Sequence, residues 1–187
     1  MLAPKSNDAA AAGPSFAQKS AELPSFAPVI KLVAPAVVNI GVRGTVATPG
    51  PANMRYGGNT SCIEMRCGPN LLIFDGGTGL RALGKSLESQ GRIEADLFFS
   101  HTHIDHVAGL PFFRPLFNKG NRVKLWAGHL LPGRTLNQVL CRIMSAPLFP
   151  VPFEVLSADV APHDFRHGDN LAPHPGIVIR TIPLNHP

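Results

Sequence analysis

The chain has 187 residues, the usual length of one folded domain, and its 44% of hydrophobic residues is enough for an apolar core. The formal net charge of +5 favours a negatively charged substrate, but the basic residues are scattered and argue only weakly for nucleic-acid binding. The three cysteines form no Cys-X-X-Cys pair, which argues against a disulfide framework and makes the reducing cytoplasm the expected location.

The first 40 residues differ in character from the rest of the chain. Residues 1–24 are rich in Ala, Pro and Ser and have no periodic apolar face, so we expect a disordered arm; they also lack the apolar core of a signal peptide. Residues 25–40 predict a leader strand or a fusion junction and are too short to span a membrane. Residues 24–40 also resemble the opening of the high-temperature-requirement serine protease domain, but no Gly-Asn-Ser-Gly-Gly nucleophile loop follows.

From residue 41 onward the sequence alternates between strand and helix patterns. A helix is predicted at residues 78–90, where leucines recur on one face and Gly91 ends the pattern. A second helix begins at residue 104 and is broken by two prolines, and a third covers residues 135–143. Strands are predicted at residues 59–66, 70–74, 96–100, 122–127, 153–156 and 176–182. This order predicts an α/β fold, half of an αββα sandwich.

A group of metal-binding residue types follows the strand at residues 96–100. Three imidazoles and one carboxylate, those of His101, His103, Asp105 and His106, lie within six residues. Imidazole and carboxylate are zinc ligands and also suit manganese or iron. Two adjacent divalent ions can promote a displacement at phosphorus or at a carbonyl carbon. The alternative interpretation is a histidine-rich surface loop.

The spacing of these residues divides them into two pairs. His101 and His103 are two positions apart, so in an extended segment they point the same way and can share one ion. Asp105 and His106 are adjacent and diverge, so they address a second ion.

The string His-X-His-X-Asp-His resembles the signature of the metallo-β-lactamase-fold hydrolases. Upstream segments resemble the opening of the branch that contains ribonuclease-Z-like and cyclic-nucleotide phosphodiesterase-like enzymes. These segments are Gly-Val-Arg-Gly (41–44), Pro-Gly-Pro (49–51), Tyr-Gly-Gly-Asn-Thr-Ser-Cys (56–62) and Asp-Gly-Gly-Thr-Gly (75–79). The resemblance covers residues 41–187 and implies the N-terminal half of a metallo-β-lactamase sandwich plus the start of its second half.

The resemblance also implies roles for individual residues. His186, just past the last predicted strand, would complete a zinc site with His101 and His103, while Asp105 and His106 would bind a second zinc ion. Asp105 would also act in catalysis by orienting the attacking hydroxide.

The resemblance implies that Asp75 is not a metal ligand itself but holds the loop that carries the ligands. Its position at the end of a strand, followed by Gly76 and Gly77, would place it under the loop. The alternative is an acid at a helix N-terminus beside Thr78.

Members of this branch continue past residue 187 with a carboxylate that bridges the metals and with another histidine. We therefore expect a truncated domain that binds one metal ion well and the second poorly, and that self-associates through an exposed sheet edge. The predicted function is hydrolysis of a phosphodiester, a cyclic nucleotide or an RNA end, by a metal-bound hydroxide, with no membrane partner. The alternatives are a catalytically impaired metal-binding remnant and a hydrolase of another ester, a thioester or a lactam.

The remaining notable side chains receive structural interpretations. We expect buried core thiols at Cys62, Cys67 and Cys141. Solvated histidines are predicted at His163, His167 and His174, and core packing is favoured over a cleft lining for Phe112, Phe113 and Phe117.

Overall fold

A mixed sheet of six strands organises the computed structural model, which describes the backbone of residues 41–42 and all of residues 58–183. The strands follow one another in chain order: β1 (Gly41–Val42), β2 (Ile63–Cys67), β3 (Asn70–Phe74), β4 (Glu94–Phe99), β5 (Arg122–Ala127) and β6 (Asp159–Asp164). β1, β2 and β3 pair antiparallel, whereas β3, β4, β5 and β6 run parallel to one another. The carboxyl ends of four parallel strands therefore meet at one edge of the sheet.

Helices and short turns connect these strands. The α-helices are α1 (Gly79–Leu87), α2 (Ile104–Val107) and α3 (Leu136–Ile143), and 3-10 turns occupy Glu88–Gln90, Leu110–Phe112, Arg114–Phe117 and Phe153–Val155. A separate antiparallel hairpin consists of β7 (Asn170–His174) and β8 (Ile177–Arg180). No helix in residues 58–183 has the length and apolar character needed to cross a membrane.

The hydrophobic core lies between one face of the sheet and the helices. Alternate residues of β3, β4 and β5 point toward this face, and the leucine stripe of α1 packs against them in one buried cluster. Leu80 and Leu87 of α1 are fully buried, as are Ile73 and Leu97 of the sheet. The predicted leucine stripe therefore forms the core contact of α1.

A row of aromatic rings crosses the opposite face of the sheet. Phe74, Phe98, Trp126 and His163 are register partners on β3, β4, β5 and β6. Their ring centroids are 5.4, 5.6 and 4.3 Å apart along the row, and each neighbouring pair is stacked. This row ties four parallel strands together across the sheet.

A buried carboxylate on the same face holds the β7–β8 hairpin. Asp96 is 2% exposed; its Oδ1 accepts a hydrogen bond from the Trp126 indole at 2.8 Å, and its Oδ2 lies 2.7 Å from His174 Nε2. The prediction of solvated histidines is wrong for His174 and for the half-buried, stacked His163, while His167 is exposed as predicted.

The predicted α/β class is confirmed. The predicted strand at residues 122–127 is present, and so is the predicted helix at residues 78–90, which ends in a 3-10 turn. The predicted strand at residues 153–156 is wrong, because these residues form a 3-10 turn. β6 and β7 were not predicted, since a proline interrupts each β pattern. The predictions for residues 1–24 and 25–40 lie outside the described residues.

Two side-chain predictions also need correction. Phe113 is fully buried and Phe117 packs against the core, but Phe112 is 53% exposed and contacts the ring of Phe149. Cys62 and Cys67 are buried as predicted, whereas the half-buried Cys141 thiol lies beside Glu154.

Asp96→Ala should lower the free energy of unfolding by about 2–4 kcal/mol, because the half-buried Trp126 and His174 donors would lose their buried acceptor. The matched control is Asp159→Ala, which removes an exposed carboxylate paired with Arg122 and should barely move the unfolding midpoint. Urea unfolding followed by circular dichroism at pH 7 measures both variants. Equal midpoints for the two variants would contradict the assignment.

Candidate metal centre

The candidate site lies at the carboxyl edge of the parallel strands. Asp75 directly follows β3, the histidine loop at residues 100–106 follows β4, and His129 lies two residues beyond β5. Because these strands are neighbours and run parallel, segments distant in sequence come together at one edge. In open α/β sheets this edge is where ligands bind.

Asp75 connects several segments of the site through its carboxylate. Its Oδ1 accepts hydrogen bonds from the backbone N–H and the hydroxyl of Ser100, both at 2.8 Å. Its Oδ2 accepts from the Ser61 hydroxyl at 3.1 Å and lies 2.8 Å from His106 Nδ1. Asp75 is 3% exposed, and its carboxylate joins the end of β3 to the histidine loop after β4.

The backbone of Asp75 has an unusual conformation. Its φ of 62° lies in the left-handed region, where non-glycine residues are uncommon and which costs about 1–3 kcal/mol. Its N–H donates to the Phe98 carbonyl at 2.8 Å, which anchors the strained residue to β4. Strain of this kind persists only where the surroundings fix the residue, as the contacts of Asp75 do.

The hydrogen bonds around Ser100 determine which ring nitrogens carry protons. Its single hydroxyl hydrogen is donated to Asp75, so Ser100 Oγ must accept from His101 Nδ1, which lies 3.1 Å away. His106 Nδ1 faces the Asp75 carboxylate and carries a proton for the same reason. When each ring is neutral, its proton therefore lies on Nδ1, and Nε2 is the nitrogen that could bind a metal ion.

The structure brings four of the predicted ligands together. The ring of His101 lies 4.5 Å from that of His103 and 4.1 Å from that of His106, measured between centroids. Asp105 Oδ2 lies 3.3 Å from His106 Nε2. The fifth predicted ligand, His186, lies outside the described residues.

The donor set fits a divalent metal ion in its chemistry, because imidazole nitrogens and a carboxylate are zinc ligands. Within residues 58–183, however, no group of three or more His, Cys, Asp or Glu side chains is arranged around a point where an ion would lie. The carboxylate of Asp105 is 55% exposed.

The environment shifts the pKa values of two histidines in opposite directions. The hydrogen bond to Asp75 raises the pKa of His106, and burial opposes this shift only in part. Burial lowers the pKa of His129, and the nearby His103 lowers it further. A proton therefore competes more strongly with a metal ion at His106 than at His129.

Sequence reasoning assigned no role to Ser61, Ser100, Thr102 or His129. Thr102 Oγ1 lies 3.0 Å from His129 Nε2, a contact that joins the histidine loop to the segment after β5. The available signal was positional, since a histidine just after one parallel strand lies near a loop that follows the neighbouring strand.

Several glycines pack against the histidine loop through their backbones. Gly76 N–H donates to the His106 carbonyl at 2.7 Å, and Gly109 N–H donates to the Gly76 carbonyl at 2.8 Å. A Cβ atom on Gly77 would collide with the Asp105 carbonyl, and one on Gly109 would collide with the Gly77 carbonyl. The predicted tight turn after Asp75 therefore also permits close approach of two backbones.

Asp75→Asn should lower the pKa of His106 toward or below its usual value of about 6.5, because the largest raising contact is lost while burial remains. NMR titration of the metal-free protein measures this pKa, with Asp159→Asn as the exposed control. In the wild type, the stabilisation from the charged His106–Asp75 pair should be complete below about pH 6.5 and decline as pH rises through the raised pKa. A His106 that titrates at the same pH in wild type and Asp75→Asn would contradict the assignment.

Gly109→Ala should destabilise the protein by about 1–3 kcal/mol and shift the His106 resonances, because the new methyl group meets the Gly77 carbonyl. The control is Gly133→Ala, where the nearest heavy atom to the added Cβ is 3.9 Å away and no loss is expected. Urea unfolding and NMR spectra provide the two readouts. Similar stability and spectra for both variants would disprove the close approach.

Comparisons with known proteins add the following findings. No family model and no curated protein matches the chain. Solved structures do match it. A diphosphatase from the PhnP family is 20% identical with a TM-score of 0.48, and the alignment covers 72% of this chain and 52% of that chain.

Two further matches carry the metallo-β-lactamase name. YhfI from Bacillus subtilis is 17% identical with a TM-score of 0.46, covering 73% of this chain and 49% of that one. A metallo-β-lactamase from Cronobacter sakazakii is 18% identical with a TM-score of 0.37, covering 64% and 44%. The chain thus spans about half the length of these structures. The chain has a mixed α/β sheet with a histidine loop at its carboxyl edge, and structures named for the metallo-β-lactamase fold are among those to which it is similar.

Proposed function

We propose that the chain is a metal-dependent hydrolase and that its substrates are phosphodiesters, a cyclic nucleotide or an RNA end. The observation that carries this proposal is the network in which Asp75 and Ser100 orient His101 and His106. Four potential ligands lie near one another at the carboxyl edge of the sheet, and a buried carboxylate helps to orient their rings. In protein metal sites, neighbouring residues commonly orient the ligands in this way.

In this proposal His101, His103 and His186 hold one zinc ion, and Asp105 and His106 hold a second; manganese or iron would suit the same donors. A bound metal ion would supply a water made acidic enough to act as a nucleophile at neutral pH, together with positive charge opposite the charge that develops on the substrate.

The protein's own residues prepare the site. Asp75 keeps the proton of His106 on Nδ1 through a contact of 2.8 Å, which directs Nε2 toward the site. Ser100 does the same for His101. Asp105, whose carboxylate is 55% exposed, would orient the attacking water. The buried contacts of Asp75 would hold the rings of His101 and His106 in place before substrate arrives.

The choice of a phosphodiester rests on two supports. The formal charge of +5 favours an anionic substrate, and the motifs at residues 56–62 and 75–79 resemble the phosphodiesterase-like branch. An ester, thioester or lactam would be compatible with the same metal chemistry but lacks this sequence support.

A second candidate function is metal binding without turnover. The observation that favours it is that residues 58–183 contain no group of three or more His, Cys, Asp or Glu side chains arranged around a possible ion position. In that case zinc would bind, but no phosphodiester would be hydrolysed.

The test is hydrolysis of bis(p-nitrophenyl) phosphate by the full chain with added zinc or manganese. His103→Ala should lower kcat/KM by about 100-fold or more, because a ligand of the metal ion is lost. The matched control is His167→Ala, which removes an exposed histidine in the turn after β6 and should leave kcat/KM unchanged.

The outcomes separate the candidate functions. Hydrolysis that depends on His103 but not on His167 supports the phosphodiesterase. Zinc binding without hydrolysis by the wild type supports the metal-binding remnant. Equal hydrolysis by wild type and His103→Ala contradicts the proposed site.

A further inference from the structure

His129 approaches the histidine loop from a second strand. Phe99 and Ala127 are the last paired residues of the parallel strands β4 and β5. The histidine loop begins directly after Phe99, and His129 follows Ala127 by two residues. The two segments therefore leave the sheet side by side at its carboxyl edge.

The contact between them falls on the residue that separates two proposed ligands. Thr102 lies between His101 and His103, and its hydroxyl is 3.0 Å from His129 Nε2. The segment that must present His101 and His103 to one ion is therefore held at its midpoint by a side chain 27 positions away.

The backbone that carries His129 is itself fixed. The ring of Phe165 packs so closely against Gly128 that no Cβ would fit there, and Phe165 N–H donates to the Ala127 carbonyl at 3.0 Å. His129 lies at the surface, where neighbouring atoms only partly desolvate its ring, so apolar packing does not explain its position. The Thr102 hydroxyl is its hydrogen-bonding partner at the site.

We propose that His129 is a positioning residue that holds Thr102 and thereby fixes the spacing of His101 and His103 for a shared metal ion. This inference rests on the proposed function. Asp75 and Ser100 hold the loop from the β3 side, and His129 holds it from the β5 side. The loop is thus supported from both neighbouring strands.

The experiment is titration of the full chain with cobalt(II), followed by visible absorption. His129→Ala and Thr102→Val should each weaken cobalt affinity by about tenfold, the usual effect of losing a residue that orients a metal ligand. The double variant should lose no more than either single variant, because both changes remove one shared contact. His129→Gln, whose amide can also reach the hydroxyl, should stay closer to the wild type than His129→Ala.

Two further readouts distinguish positioning from general stability. The cobalt absorption band should shift in His129→Ala while its urea unfolding midpoint stays at the wild-type value. The matched control His167→Ala should keep both the affinity and the spectrum of the wild type.

The results that would overturn the inference are specific. Cobalt affinity of His129→Ala within about twofold of the wild type, or losses that multiply in the double variant, would remove the role of His129 and leave the proposed function standing. Absence of cobalt binding by the wild type itself would contradict the proposed function, and this inference with it.

Discussion

The site depends on one buried carboxylate. Asp75 accepts hydrogen bonds from Ser100 and Ser61 and faces His106, so its two oxygens join the segments after β3 and β4. A buried carboxylate is tolerated only when its oxygens are hydrogen-bonded in this way. The same contacts fix the protons of His101 and His106, so the group that holds the loop also sets its chemistry.

The fold makes this arrangement possible through parallel pairing and glycine. Parallel strands bring Asp75, the histidine loop and His129 to one edge although they are separate in sequence. Gly77 and Gly109 let two backbones approach so closely that a methyl group on either would collide with a carbonyl. The strand order thus brings these segments close together, and the glycines allow their backbones to come into contact.

Sequence patterns predicted those parts of the structure that depend on local order. The helix at residues 78–90 and the strand at residues 122–127 follow from side-chain periodicity, and the histidine loop follows from its position after a strand. β6 and β7 were missed because Pro162 and Pro173 interrupt their patterns, although Pro162 is tolerated in a strand at the end of the sheet order. The roles of Ser100 and His129 depend on contacts between segments, which periodicity does not encode.

The central claim is that the loop held by Asp75 binds a divalent metal ion. The most direct measurement is anomalous diffraction at the zinc absorption edge from crystals of the full chain grown with zinc. The account predicts an anomalous peak about 2.0–2.1 Å from imidazole Nε2 atoms of the histidine loop, with Nδ1 of His106 still bonded to Asp75. A zinc peak elsewhere, or imidazoles of the loop turned away from it, would contradict the account.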